Sequence, residues 1–314
     1  MIPSAVVSSF AADVRHYLQL TPRQLPSQYL YDALGSALFD AICELPWYGI
    51  TRAEMRLLTE HRESIFGHLP ALTRIVELGP GDGRKLRTLI VGTADPLTAH
   101  LIDVSAAALT RAAHTLSDAI NVAVVTHQAS FEEGLALATR ADGDERTLVV
   151  FLGSNIGNFD PPASAALLHR IRATLAPGDA FLIGADLVKP ERELLLAYND
   201  PLHVSDAFNL NVLLRINREL GGNFDLRGFR HRAVWNARCS RMEMYVVSTK
   251  AQRVRIEAID LAIDLEQGEA IWTESSYKYT GQGVIAQLET TGFEPVAQWI
   301  DLEDGFALTL AQIV

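Results

Sequence analysis

The chain has 314 residues, enough for one large domain or two modest ones. An apolar fraction of 48% and a charged fraction of 21% are those of a globular protein able to bury a sizeable core. A formal net charge of -11 with no basic stripe argues against binding nucleic acid through its phosphates, and no run approaches the ~18 apolar residues a membrane span needs.

The N-terminus, Met1 to Asp13, lacks the basic start and apolar block of a secretory signal. Cys43 and Cys239 are the two cysteines, and neither lies in a CxxC pair. A disulfide framework or a zinc site is therefore not expected, and a reducing cytoplasm fits. The nine His show no HxxxH or HExxH spacing, so no metal is expected. Residues 1–62 read as an N-terminal helical segment that joins a substrate-binding domain. Within it, Ser36 to Ile42 has the pattern of a short amphipathic helix. Leu45-Pro46-Trp47-Tyr48-Gly49-Ile50 is an aromatic turn. Thr51-Arg52-Ala53-Glu54 has capping-box spacing and predicts a helix start, running toward Ile65.

Next comes Ile75-Val76-Glu77-Leu78, an apolar run holding one acid, followed by Gly79-Pro80-Gly81-Asp82-Gly83. It reads as a buried parallel strand ending in a tight loop, with a helix opening at Arg84. Glycines there let the backbone approach a ligand closely. A dinucleotide fingerprint needs a glycine at position 84, which is Arg84. The pattern Glu-x-Gly-x-Gly-x-Gly resembles motif I of class I S-adenosylmethionine (SAM) methyltransferases. The plain alternative is a strand-to-helix turn with no ligand.

From there strand and helix alternate. Strands are predicted at His100 to Asp103, Val122 to His127, Thr147 to Leu152 and Ala180 to Gly184. Helices are predicted at Ala106 to Leu116 and, after a break at Pro161, at Ala163 to Leu175. Such alternation predicts an α/β, Rossmann-like doubly wound parallel sheet, with ligands beyond the carboxyl ends of its strands. Asp103, 20 residues beyond Gly83, stands where an acid accepts from ribose hydroxyls, with a helix N-cap as the alternative. Ser130-Phe131-Glu132 follows the third strand. Gly153-Ser154-Asn155-Ile156-Gly157-Asn158 follows the fourth.

From about Lys189 the alternation stops. Helices at Glu191 to Tyr198 and Asp206 to Glu219 precede strands at Arg230 to Trp235, Arg241 to Thr249 and Gln252 to Ile259. Residues 189–279 therefore read as an inserted, smaller α+β substrate-binding domain. Residues 63–188 and 280–314 make the SAM-binding domain, closed by strands at Phe293 to Asp301 and Phe306 to Val314.

Several longer strings stand out: Tyr29-x-Tyr31-Asp32-x-x-Gly35-Ser36, Leu45-Pro46-x-Tyr48-x-x-Thr51-Arg52-x-Glu54, and Glu77-Leu78-Gly79-x-Gly81. Gly153-Ser154-x-Ile156-Gly157-Asn158, Tyr198-Asn199-Asp200, Phe208-Asn209-x-Asn211, Asn217-Arg218-Glu219-Leu220 and Thr273-Glu274-x-Ser276-x-Lys278-Tyr279 complete the set. Together they resemble one family, the SAM-dependent histidine Nα-methyltransferases of ergothioneine biosynthesis. The resemblance implies a class I methyltransferase fold, SAM as methyl donor (S-adenosylhomocysteine as product) and the α-amine of histidine as acceptor, methylated three times to hercynine. It implies that Tyr48 and Glu274 hold the imidazole, with Ser276 beside the acid. It implies that Asn158 and Tyr198 hold the carboxylate end, and that Tyr31 lies near the amine and relays its proton. Asn158 or the Gly153 carbonyl would accept from the amine. Gly79, Lys85 and Asp103 match SAM contacts, with Glu77, Gly81 and Gly83 in the same loop. Members usually carry an acid after the third strand for the adenine. Here Ser130 stands there, followed by Phe131, so Ser130 or Glu132 is expected to serve. The alternatives are a sister methyltransferase acting on tryptophan or tyrosine, and a non-catalytic SAM-binding protein. A monomer acting on a small-molecule amino acid is expected.

Overall fold

The computed structural model describes residues 4–93, 95–119, 121–139 and 146–313. Met1 to Pro3, part of the stretch read for a signal, lie outside them, as does Val314, the end assigned to the last strand. In chain order the helices and strands are α1 (Ser4–Leu18), α2 (Ala33–Cys43), α3 (Ile50–Gly67), β1 (Leu72–Leu78), α4 (Arg84–Ile90), β2 (Leu97–Asp103), α5 (Ala106–Leu116) and β3 (Val122–Gln128). Then come α6 (Phe131–Ala138), β4 (Arg146–Phe151), α7 (Pro161–Thr174), β5 (Ala180–Asp186), α8 (Glu191–Tyr198) and α9 (Val204–Leu220). The chain ends with β6 (Phe229–Asn236), β7 (Arg241–Ser248), β8 (Gln252–Ile256), β9 (Leu261–Leu265), β10 (Ala270–Tyr277), α10 (Gly281–Thr290), β11 (Glu294–Asp301) and β12 (Phe306–Gln312).

The chain divides into two compact units. One is Met1–Tyr48 with Lys189–Ser276; the other is Gly49–Val188 with Tyr277–Val314. The sequence pattern put all of residues 1–62 with the substrate domain. The break falls earlier because α3 packs on α4, β11 and β12 of the second unit.

The second unit is built on a seven-stranded sheet of order β11-β12-β5-β4-β1-β2-β3. The pairs among β1 to β5 are parallel, and β12 runs antiparallel to both β5 and β11. This is the doubly wound arrangement of class I methyltransferases, with the order reversing between β1 and β4. Side chains alternate along a strand. Val76 and Leu78 enter a core with Leu135, Leu167 and Leu288 of α6, α7 and α10. Glu77 therefore points to the opposite face. The two prolines read as a break instead start α7, at its first two positions, with Asp160 capping at Ala163 N. Proline's fixed φ and missing N–H suit that place.

The capping box read at Thr51 does not form. Gly49 is the cap residue of α3, with no side-chain cap bond, and Thr51 lies inside the helix. Glu54 is fully buried and committed elsewhere. Arg56, half a turn further, forks onto Asp301 at 2.7 and 2.9 Å and reaches Asp304 at 2.8 Å. This ties α3 to the turn joining β11 and β12.

In the first unit α9 packs on α2 and β6. A three-stranded sheet of order β10-β7-β6 and a hairpin of β8 and β9 complete it. Asp32 caps α2 by accepting from Gly35 N at 2.7 Å, and also accepts from Asn211 Nδ2 at 2.7 Å and Arg218 Nη2 at 2.6 Å.

Hydrogen bonds from Arg56 hold the Asp301 carboxyl below its usual range. A depressed carboxyl stabilises the fold above its unfolded pKa and loses that contribution as pH falls through the folded one. Arg56→Met is expected to cost about 1 kcal/mol at neutral pH, since Arg56 is partly solvated. The deficit should shrink toward zero as pH falls below about 4, measured by urea unfolding across that range.

Candidate functional site

The carboxyl ends of β1, β2 and β3 carry the residues singled out for SAM. Glu77 is 1% exposed on a strand flanked by β2 and β4. Its Oε2 finds no hydrogen-bond partner among the described residues. Burial pushes this carboxyl up to about 8; Lys85 opposes the shift, while Glu54, Asp82 and Asp103 add to it. The loop beyond takes left-handed φ at Gly79, Gly81 and Gly83. The three glycines do different things. A Cβ on Gly79 would come 3.1 Å from Asn155 Nδ2 and 3.7 Å from the Phe131 ring. One on Gly81 would meet nothing within 4 Å, so that backbone is open to a ligand. One on Gly83 would strike the Ala112 backbone at 2.9 Å, so Gly83 serves the approach of α5.

Asp103 ends β2. Its Oδ1 accepts from Ser105 N at 2.8 Å, and burial raises its carboxyl. The alternative role as cap of α5 is taken by Ser105, whose hydroxyl accepts from Ala108 N. Ser130 is different from what was expected. Its hydroxyl donates to Glu133 Oε2 at 2.8 Å and accepts from Glu133 N, making a full capping box for α6. Glu132 pairs with Arg170 at 2.8 Å on the surface. Ser130 thus serves the start of α6, and Glu132 is held by an ion pair to α7. Phe131 lies beside Gly79 and edge-on to Phe151 at 5.6 Å.

After β4, Gly153 and Ser154 both have positive φ, 77° and 56°. Gly153 N–H donates to both oxygens of Glu54, at 2.9 and 2.8 Å. Lys85 Nζ is 2.6 Å from Glu54 Oε2. Ser154 Oγ accepts from Asp186 N at 2.9 Å, and Asp186 pairs with the buried Lys278 at 2.7 Å. The Tyr279 phenol donates to Ile156 O at 3.3 Å, and a Cβ on Gly157 would lie 2.8 Å from Tyr277 O. These contacts fix the turn (Asn155–Asn158) that carries Asn158.

The described residues thus present a buried acid with a vacant oxygen, an open glycine backbone and a second acid one strand over. That set fits an adenosyl donor with an amino-acid tail.

The residues singled out for the imidazole, with Tyr31, Tyr198 and Ser276, come together in the first unit. Trp272, Glu274 and Ser276 share one face of β10 by alternation. The Tyr31 phenol hydrogen-bonds Glu274, and burial, then that carboxylate's charge, pushes the phenol well above its ordinary pKa. Tyr31 packs edge-on to Phe39 at 5.4 Å and to Phe208 at 5.3 Å. Phe39 packs on Tyr48 at 6.1 Å, and Tyr48 on Tyr198 at 6.3 Å. Tyr198 Oη shares a hydrogen bond with Ser276 Oγ at 2.9 Å. The five polar side chains therefore form one continuous cluster. Tyr31 is met at Glu274, the residue expected to hold the imidazole, whereas Tyr31 itself was expected near the amine.

Glu54 was missed as a site residue. Its signal was present: it falls on the stripe of Ile50, Ala53, Leu57 and Leu58 that α3 buries. An acid on the apolar face of a helix is a functional candidate.

The doubly wound sheet with its glycine loop defines a class I SAM-dependent methyltransferase. The family described as histidine-specific methyltransferase, SAM-dependent, matches residues 10–313. Histidine N-alpha-methyltransferase of Mycolicibacterium smegmatis is 40% identical over 303 residues, 95% of this chain and 93% of that protein. The Mycobacterium tuberculosis protein of the same name is 39% identical over the same shares. Ergothioneine biosynthesis protein 1 of Neurospora crassa is 27% identical over 88% of this chain and 32% of its own length. The chain belongs to the SAM-dependent, histidine-specific methyltransferase family.

A raised carboxyl favours the fold below its unfolded pKa and loses that advantage as pH rises through the folded one. Without SAM, wild type should therefore lose stability relative to Glu77→Gln between about pH 5 and pH 8, by on the order of 2 kcal/mol. Denaturant titrations of both proteins across that range check this.

Proposed function

We propose that this chain methylates the α-amine of L-histidine, three times in succession, to hercynine, a step of ergothioneine biosynthesis. The observation that carries the substrate reading is the pairing of Tyr31 with Glu274 inside an aromatic cluster that includes Tyr48. A neutral imidazole offers one donor and one acceptor. Glu274 accepts the ring N–H with the lone pairs left beside Tyr31, and the Tyr48 hydroxyl donates to the other nitrogen. A side chain lacking those edges would leave these groups unpaired, which is how a polar site rejects it. Tyr198 and Ser276, already bonded to each other, hold the carboxylate end.

On the donor side Glu77, Gly79, Gly81, Lys85, Asp103 and Phe131 would hold SAM. Bound there, SAM supplies an electrophilic sulfonium methyl. The chain's residues hold and orient the partners; in-line positioning is their main contribution. The amine gives its proton to water before attack, and Asn158 Oδ1 or the Gly153 carbonyl accepts from the N–H bonds that remain. Tyr31 is unsuited to be the base. Its phenol pKa is raised and its proton is donated to Glu274, so it acts by fixing that carboxylate.

Incubation with SAM and the twenty amino acids should give mass gains of one to three methyls on histidine alone. Glu274→Ala should raise the KM for histidine roughly 10–100-fold, the loss of one charged hydrogen bond, with SAM affinity little changed. An unchanged histidine affinity would remove Glu274 from the substrate site.

A further inference from the structure

We propose that Glu54 is a positioning residue that sets Lys85 and the Gly153 peptide in place with a single carboxylate. The inference rests on the reading of Lys85 as a contact to the methyl donor. Glu54 is 0% exposed on α3. A buried ionised carboxylate is costly unless its lone pairs are taken up. Here Lys85 Nζ takes one oxygen at 2.6 Å and Gly153 N–H reaches both. The surrounding sequence makes room for this. A Cβ on Gly184 of β5 would sit 2.0 Å from Glu54 Oε1. One on Gly153 would sit 3.0 Å from Lys85 Nζ, so both small residues keep the group compact. The two donors belong to the first turn of α4 and the loop after β4. Those elements carry the residues assigned to the donor and to the amine. Glu54 itself touches neither reactant in this arrangement; it acts through Lys85 and Gly153.

The carboxamide of Glu54→Gln keeps an acceptor for Gly153 N–H but turns an NH2 toward the Lys85 ammonium, donor against donor. Lys85 then loses its place while the loop keeps its bond. Calorimetric titration of S-adenosylhomocysteine into the full chain tests this. No binding to wild type would overturn the donor-site reading and this inference with it. If wild type binds, Glu54→Gln should weaken the complex about tenfold, and a loss of less than threefold overturns the inference. The double variant E54Q/K85M should bind no more weakly than K85M alone. A purely structural Glu54 would lower the melting temperature and leave the two effects multiplying, which also overturns it. If Glu54→Gln does not fold, Glu54→Asp carries the test. Its carboxylate, one methylene shorter, cannot reach both donors and should also weaken binding more than threefold; a smaller loss overturns the inference.

Discussion

The structure depends on keeping carboxyl groups dry at the carboxyl edge of a parallel sheet. Glu54, Glu77 and Asp186 are each buried to 1% exposure or less. Taking one ionised carboxylate out of water costs several kcal/mol unless a partner answers it. Lys85 and a backbone N–H answer Glu54. Lys278, itself buried, answers Asp186. Glu77 faces Lys85 but shares it with Glu54, and its pKa rises to about 8. The dryness is a product of topology. β1 is flanked by β2 and β4, and helices pack on the sheet, so the strand that ends in the glycine loop is shielded along nearly its whole length. The same low-dielectric surroundings make each charge count for more toward a bound cation than it would in water.

In the first unit one buried set of polar groups is held differently, by neutral hydrogen bonds. Thr273 of β10 donates to Asn209 Oδ1 at 2.6 Å. Asn209 Nδ2 lies 2.8 Å from His231 Nδ1, and His231 Nε2 lies 2.8 Å from Tyr198 O. Burial lowers the His231 pKa, so the ring is neutral, with Nδ1 accepting and Nε2–H donating. The relay runs from the residue beside Glu274 to the residue that pairs with Ser276. The relay itself contains no ion pair.

The alternation of strand and helix was legible because β1, β2, β4 and β5 are nearly continuous apolar runs with helical periodicity between them. Helix α6 was not, because Gly134 reads as a breaker. A Cβ there would strike Ile102 at 2.3 Å, so the glycine is present for packing. The short strand β9, which pairs with β8, was not read either. The rare strings singled out Tyr48, Glu274 and Ser276, which the first unit brings into one cluster with Tyr31 and Tyr198. The capping rule failed twice, in opposite directions. Thr51-x-x-Glu54 has capping spacing but its Glu is consumed by tertiary partners, whereas Ser130-x-x-Glu133 went unread as a cap and is one. Spacing alone does not reveal whether a side chain's best partner is three residues away or a hundred.

The strings that marked the family are largely scaffold, and this explains why they extend beyond the side chains that would touch substrate. Asp32 gathers three donors, from Gly35, Asn211 and Arg218, at the turn directly after Tyr31. A Cβ on Gly35 would lie 1.7 Å from Leu30 O, so α2 can begin there only with glycine. Phe208, one helical turn before Asn211 on α9, closes on the Tyr31 ring itself. Backbone turn, helix cap and ring packing therefore agree on one rotamer for Tyr31, the one that delivers its phenol to Glu274. The carboxylate that would read an imidazole edge thus accepts from a phenol whose ring is packed by Phe39 and Phe208.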